Sequence, residues 1–545
     1  MTGLLDWIAR AEIEDTGRGI HLADRDDWTL WSYPKLAGLT RTLAAGLRDR
    51  GVDPGDVVVI VARSGPGFVA AFFGALLAGA TPAPVPPRAP FRTADTYDDH
   101  LAALLRLAQP AAVLTDADLL ELLRPVVAAA APCLSIDDLL AAPTSASVTV
   151  SAAAAKPPAL LQFTSGSTGN PRGIRVPHDA LAANIAAIRT WLHWRPEDAC
   201  ASWLPVHHDM GLIGCLLTPI VTGADLWLMP PEHFITRPER YLRCFGPGGA
   251  RLTAMPTFGL SHILRRLRDQ SFTAHLAATD LSGWRAAVIG AERVYPAVLD
   301  EFESALAPFG LRPGTLLPAY GLAEATLAAT GVPLGRARRE FRADPATLTV
   351  GEQVRAAPDG SRIAGCGAPL DDTRVTVTGA DGRELPERHV GEIVVRGSAV
   401  AAGYVSAAST ASTTRLDDGT LHTGDAGFID GGELFVIGRL GDALKVRGRL
   451  VYAEDLEATL GAAGLPLARL AVALGSHHGN PTAVAVLEDA TPQRAEASAR
   501  ILRAAAGGAE VIVVAAESGT IPRTTSGKPR RRALWQWFVF RQTAS

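Results

Sequence analysis

Residues 56–80 read DVVVIVARSGPGFVAAFFGALLAGA. A β-branched run at 56–62 breaks at Ser64-Gly65-Pro66-Gly67 and becomes an Ala, Leu and Phe-rich stretch. Branched side chains suit a pleated strand, and Ala and Leu suit a helix. The same alternation returns in AAVLTD (111–116) followed by DLLELLRPVVAAA (118–130). Strands alternating with helices predict an α/β fold of helix-covered parallel sheets. Further along the pattern changes. RVTVTGADGRELP (374–386), GEIVVRG (391–397) and GELFVIGR (432–439) carry the turn signals ADG and DGG, which predict antiparallel hairpins. They mark a small β-rich subdomain at about 332–440, within a large N-terminal domain spanning 1–440. After GRLGD (438–442), the strand-like runs RLAVALG, TAVAVLE and EVIVVAA with intervening helices predict a small α+β C-terminal domain over 441–545.

The totals exclude several functions. The net charge of −4 over 545 residues gives no electrostatic footprint for nucleic acid. The basic run KPRRR (528–532) is too short to change that and reads as a solvated helix start. Five cysteines without CxxC spacing argue against a zinc site or a disulfide framework, and point to a reducing, cytoplasmic setting. Asp6 and Arg10 stand where a signal peptide needs an apolar run, and the most apolar stretches are broken by charge, proline or glycine. No membrane span is expected.

Residues 163–173, FTSGSTGNPRG, combine four hydroxyls, three glycines and an arginine. They lack the lysine of a Walker A loop and fit a dinucleotide fingerprint poorly. Two readings remain: a Ser/Gly linker, or a loop whose amides, hydroxyls and Arg172 wrap a phosphate. The preceding LLQF is a plausible strand and the following LAANIAAIRTWL is amphipathic, which favours the ordered loop. The low-complexity approach at 143–159 reads as a connector.

This loop resembles the phosphate-binding signature of the adenylate-forming superfamily, which includes acyl-CoA synthetases, nonribosomal adenylation domains and luciferases. AVIGAERV (287–294), AYGLAEATL (319–327), LHTGDAGFI (421–429) with GRLGDALKVRG (438–448), and IPRTTSGKPRR (521–531) match it in order. Within the superfamily, SWLPVHHDMGLIG (202–214), MPPEHFITRPERYL (229–242), MPTFGL (255–260), GCGAPL (365–370) and RGRLVYAEDLE (447–457) are similar to fatty acyl-AMP ligases. Residues 332–362 occupy the place of that family's extra insertion, and Phe341, Leu348, Val350 and Val354 are expected to anchor it to a neighbouring domain.

The resemblance implies that a carboxylic acid and ATP give acyl-AMP and pyrophosphate, and that a phosphopantetheine thiol of an acyl carrier protein then takes the acyl group. Coenzyme A as acceptor is the alternative, and a catalytically inactive nucleotide-binding scaffold is a third reading. By the same resemblance Thr164, Ser165, Gly166, Ser167, Thr168, Gly169 and Arg172 hold the ATP tail; relatives usually carry lysine where Arg172 stands. Gly290, Ala291 and Glu292 line the adenine site, Tyr320 stacks on adenine beside Gly321, and Asp425 and Arg439, with Ile437, serve the ribose. Glu324 is the implied Mg²⁺ ligand, a hard oxygen donor suited to that ion. His208 gates the acid entrance, with a packed histidine as the plain alternative. Trp203, His207, Met210, Gly211 and Phe258 are the expected pocket. Lys528 bridges the carboxylate and the α-phosphate, and Gly441, where relatives have Asp or Lys, is the expected hinge of a mobile C-terminal lid.

Overall fold

The computed structural model describes residues 3–24, 27–88, 94–143, 157–164, 171–276, 279–406, 413–446, 449–478, 480–523 and 528–543. The 56–80 stretch forms the strand Val57–Val61 and the helix Pro66–Leu77, with Pro66 at the first helical turn where its missing N–H is harmless. That strand sits in a four-stranded parallel sheet between Thr81–Pro84 and Ala112–Thr115, with Cys133–Ser135 at one edge. The helix is buried almost all round, which explains its unbroken apolar sequence.

A nine-stranded sheet carries the second layer. Its parallel middle runs through Leu316–Gly321, Ala286–Ile289, Leu252–Met255, Cys200–Ser202, Leu226–Leu228 and Gly19–Asp24. The carboxyl ends of such strands are where α/β sheets open crevices. Ile289 and Gly321 close two of them, so the motifs at 287–294 and 319–327 lie on one edge.

The β-rich region is antiparallel, as its turn signals predict. Gly391–Gly397 pairs with Thr373–Thr378 and with Thr420–Asp430, which in turn pairs with Glu433–Arg439. Gly431 and Gly432 both have positive φ in the two-residue turn that joins the last pair, the geometry that fits the right-handed strand twist. Residues 332–362 dock here, on the β-rich region itself. Their hairpin Glu340–Ala343 with Ser361–Ala364 sets Phe341 against Phe428 and Phe435, and Leu348 and Val354 are buried in the same cluster. Arg338 pairs with Asp300 and Glu303, fixing the hairpin to the helix Pro296–Leu306 as well.

The C-terminal sheet, Leu470–His477, Asn480–Glu488 and Glu510–Ala516, buries both faces by simple alternation. Val472, Ala483, Ala485 and Leu487 meet the helices Ala453–Ala462 and Pro492–Ala505, while Ala471, Ala473, Val484 and Val486 meet Leu534 and Phe538 of the helix Arg531–Thr543. The KPRRR run therefore leads into a helix, as expected, but Arg531 is not solvated. It pairs with Asp442, Glu454 and Glu457 at 2.8–3.1 Å. Among the described residues no helix is long and apolar enough to cross a membrane.

Candidate active site

The glycine-rich loop opens from the strand Leu160–Thr164 and returns as the strand Arg172–Val176, paired antiparallel from Thr164↔Arg172 to Leu160↔Val176. It is thus a hairpin loop. The amphipathic helix His178–Trp191 follows the second strand rather than the loop itself. Ser165, Gly166, Ser167, Thr168 and Gly169 lie outside the described residues, as does much of the connector expected at 143–159. Arg172 stacks over the Tyr404 ring at 3.5 Å and donates to the Thr414 carbonyl at 3.3 Å.

Glu324 is buried, in a tight turn after the strand Leu316–Gly321. Its Oε1 accepts from the Tyr404 hydroxyl at 2.8 Å. Thr326 follows with φ 64° and ψ −60°, and Leu327 N–H donates to the Ala325 carbonyl. That is a classic γ-turn, rare and strained, centred on a β-branched residue. Gly321 is required nearby, because a Cβ there would overlap the Leu327 carbonyl.

Tyr320 donates its hydroxyl to Asp425 Oδ2 at 2.7 Å, and Arg439 Nε meets Asp425 Oδ1 at 3.0 Å. Asp425 and Arg439 face each other across the strands Thr420–Asp430 and Glu433–Arg439, and Tyr320 comes from the end of Leu316–Gly321. Burial, then the Asp425 charge, pushes the Tyr320 phenol well up, so it remains a donor. Ile437 is buried in the apolar cluster with Phe341. In a regular strand it would share a face with Arg439, two residues on, but the pairing slips between Ala426 and Gly427 and leaves Ile437 as the unpaired residue of a bulge, which re-aims its side chain.

Lys528 completes the group. It senses the charges of Asp209, Glu292, Asp425 and Arg439 together. Its side chain keeps an exposed flank, yet it stands in a cleft whose walls desolvate it. Desolvation, helped by Arg439, pulls the ammonium below its ordinary value, and the three carboxylates oppose that. Glu292 is likewise exposed by area but pushed up by desolvation, partly offset by the Phe258 N–H that it accepts at 2.6 Å. That contact caps the N-terminus of the helix Thr257–Arg266. Ala291 has φ 64°, a second non-glycine strain point in the same cleft.

Below the cleft lies an apolar cavity, lined at one end by Gly290, Ala291, Tyr320 and Gly321 and elsewhere by Ile188, Trp191, Trp194, Cys200, Met210, Gly214, Cys215 and Leu327. Met210 begins a π-helix, Met210–Leu217, capped by Asp209, whose Oδ1 also meets His208 Nδ1 at 2.6 Å. Burial works against the Asp209 carboxylate, but His208, Lys528 and the Met210 N–H hold it below the ordinary value.

Of the expected pocket residues, Met210 lines this cavity and the other four do not. Trp203 is stacked on Phe234 at 4.0 Å in the core, with Phe258 edge-on to it. Gly211 is packed against the Pro205 carbonyl, where a Cβ would overlap. His207 is half-buried; desolvation, then the neighbouring His208, pushes it down to about 3. It is a neutral packed histidine. Trp191 and Trp194 were not anticipated. Each is locked by its indole N–H, Trp191 to Val332 O and Trp194 to Asp198 O, both at 2.8 Å. No His, Cys, Asp or Glu cluster of metal-binding size occurs among the described residues, so a cation here would rest on a carboxylate and its substrate's oxygens.

Gly441 lies in the short turn Leu440–Asp442 with ordinary backbone angles, and a Cβ would meet only Thr413, at 3.5 Å. Past it, Asp442 is tied to Arg531, and Arg293 of the large domain pairs with Asp455 at 2.6 Å.

Known proteins bear on this site. The AMP-binding enzyme family model matches residues 10–405. A Caulobacter vibrioides protein named "Putative acyl-CoA synthetase" is 34% identical over 465 residues, covering 84% of this chain and 80% of its own. A long-chain-fatty-acid–AMP ligase, FadD26 of Mycobacterium marinum, is 33% identical over 516 residues, covering 88% and 86%. A solved chain from work on fatty acyl-adenylate ligases of E. coli and L. pneumophila superposes with a TM-score of 0.88 at 27% identity, covering 100% of this chain and 99% of that one. The chain belongs to the AMP-binding enzyme family, whose members use ATP with Mg²⁺.

Proposed function

We propose that the protein activates a fatty or similarly apolar carboxylic acid with ATP and passes the acyl group to the phosphopantetheine thiol of an acyl carrier protein. The observation that supports this reading is that Lys528 feels the charges of Asp425, Glu292 and Asp209 together, and that Asp209 lines an apolar cavity. A carboxylate oxygen attacks the α-phosphorus of ATP, the bond to the bridging oxygen breaks, and pyrophosphate leaves. Lys528 offsets the charge that develops between the two reactants, the kind of fixed electrostatic help that dominates such steps. Asp425 accepts from the ribose hydroxyls once Tyr320 and Arg439 share it with them, and Tyr320 offers its ring to adenine. Arg172, Thr164 and residues 165–169 hold the departing tail. Glu324 fits a divalent cation: Tyr404 occupies Oε1 and leaves Oε2 for the ion. Mg²⁺, when bound there, neutralises phosphate charge. In the second step the thiol sulfur attacks the acyl carbonyl, AMP leaves, and the thiol proton goes to solvent.

The acid's tail lies in the cavity between the π-helix and Trp191 and Trp194, not against Trp203 and Phe258. His208, paired with Asp209 at the cavity mouth, gates the carboxylate. The lid is residues 441–545, following the large domain 1–440, and turns at Gly441. The free state of all five cysteines supports a cytoplasmic site of action. The FadD26 relative is named for joining an acid to AMP, which agrees with an acceptor other than coenzyme A, whereas the relative named as an acyl-CoA synthetase supports coenzyme A as the second reading. Pyrophosphate release across a panel of acids tests the first step, with no release from any acid as the refuting result. Competition of holo carrier protein against coenzyme A for the preformed adenylate decides the acceptor.

A further inference from the structure

The short segment Ala399–Val405 joins two parts of the site that are far apart in sequence. Its backbone clasps the return strand of the glycine-rich loop: Ala402 N–H donates to Arg175 O at 3.0 Å and Val405 N–H to Gly173 O at 2.8 Å, and Gly403–Tyr404 pairs with Ile174 and Arg175. It also clasps the Glu324 turn. Ala401 N–H donates to Glu324 O at 2.9 Å, and the Thr326 hydroxyl donates to Ala399 O at 2.6 Å. The strained γ-turn is therefore pinned from outside by this strap.

Tyr404 extends the clasp to the functional side chains. Its ring carries the Arg172 guanidinium at 3.5 Å, and its hydroxyl donates to Glu324 Oε1 at 2.8 Å. Burial and then the Glu324 charge raise the phenol far above its ordinary value, so it acts only as a donor. A carboxylate with one oxygen fixed presents the other in a single direction, and such outer partners typically govern the affinity of an ion bound to the inner ligand.

We propose that Tyr404 is a positioning residue that aims Glu324 at the divalent cation and fixes Arg172 at the phosphate end of the site, coupling metal binding to nucleotide binding through one side chain. This rests on the assignment of Glu324 to the cation made above. The test is calorimetric binding of α,β-methylene-ATP to the full chain in MgCl2 and in EDTA. The wild type should bind more tightly in Mg²⁺. Tyr404→Phe keeps the ring under Arg172 and loses the hydroxyl, so its affinity in EDTA should match the wild type while the Mg²⁺-dependent tightening falls by about tenfold or more. Tyr404→Leu should weaken binding in EDTA as well, because Arg172 loses its platform. Glu324→Gln separates the two assignments. If it keeps the full tightening, the cation assignment fails and the proposal falls with it. If it loses the tightening but Tyr404→Phe does not, or if Tyr404→Phe weakens both conditions equally, Tyr404 has only a structural role.

Discussion

Replacing Gly214 by Ala tests the assignment of the acyl cavity without weakening the protein. Gly214 lines the cavity one π-helical turn beyond Met210, with ordinary backbone angles. Alanine in a helix gains about 0.8–1 kcal/mol over glycine, so misfolding would not explain a loss of activity. The added methyl meets only Leu327 Cδ2, at 3.2 Å, and Leu327 is itself a cavity wall. The space taken is that of a single carbon. An acid long enough to need it loses burial of one methylene, about 0.8 kcal/mol, or roughly fourfold in kcat/KM. If Leu327 yields by moving into the cavity, roughly a second methylene's space is lost, and the loss for long acids rises to about 1.6 kcal/mol, or roughly 15-fold. Acids too short to reach Gly214 should be unaffected. Pyrophosphate release measured over a series of chain lengths should therefore show an optimum moved toward shorter acids. A uniform loss at every length, or an unchanged profile, refutes the assignment of this cavity to the acyl tail.

Lys528→Ala should lower adenylate formation by about 10²–10³ while sparing thiol transfer from preformed acyl-AMP, as measured in the two half-reactions. The required ammonium form is complete below its pKa and lost as pH rises through it; because that pKa is lowered from 10.5, adenylation should show an alkaline limb below the ordinary lysine range, and Lys528→Arg should abolish it. Arg172→Ala removes the cation that Tyr404 and Thr414 hold at the phosphate end of the site, and should raise the KM for ATP by about 10–100-fold, from roughly 1.5–3 kcal/mol for one lost charge-assisted bond to the ATP tail. Arg172→Lys, which keeps the charge, should be milder, and equal KM values for wild type and the alanine variant would clear Arg172 of any role. Gly441→Pro should leave adenylate formation intact and impair acyl transfer, since the turn seen here tolerates a substituent and the other lid position needs rotation; equal loss of both half-reactions would sink the hinge.

Much of the architecture was readable because it rests on local signals. The β-branched and Ala-rich blocks of 56–80, and the DGG turn before Glu433, form the elements their composition favours. Asp425 and Arg439 pair, Lys528 feels both of their charges and Arg439 feels that of Glu324, although nothing in local sequence brings residues so far apart together. What stayed hidden depends on packing. Arg172–Val176 is a strand only because Leu160–Thr164 and Gly403–Tyr404 pair with it, and its charges and glycine disguise it. Trp203 and Phe258 look like pocket aromatics, but an aromatic near a motif serves a core as readily as a cavity, and stacking on Phe234 decides for the core. Trp191 and Trp194 carried no motif, so their place beside the cavity follows only from the fold. Tyr404 sits outside every quoted motif for the same reason.

The π-helix has a consequence for how this protein can change. Met210–Leu217 holds a wider turn than an α-helix, with the Thr218 hydroxyl donating to Ile213 O at 2.7 Å across it. Loss of a single codon inside it would let α-helical spacing return and would improve the backbone bonds. The same loss would leave Gly214 and Cys215 facing much as they do now relative to Met210, because one residue fewer and a tighter turn nearly cancel: an α-helix turns about 100° per residue and the wider turn less. The wall would instead lose one residue's length while keeping its face toward the cavity. The extra residue can therefore be lost or regained without turning the cavity wall away from the site.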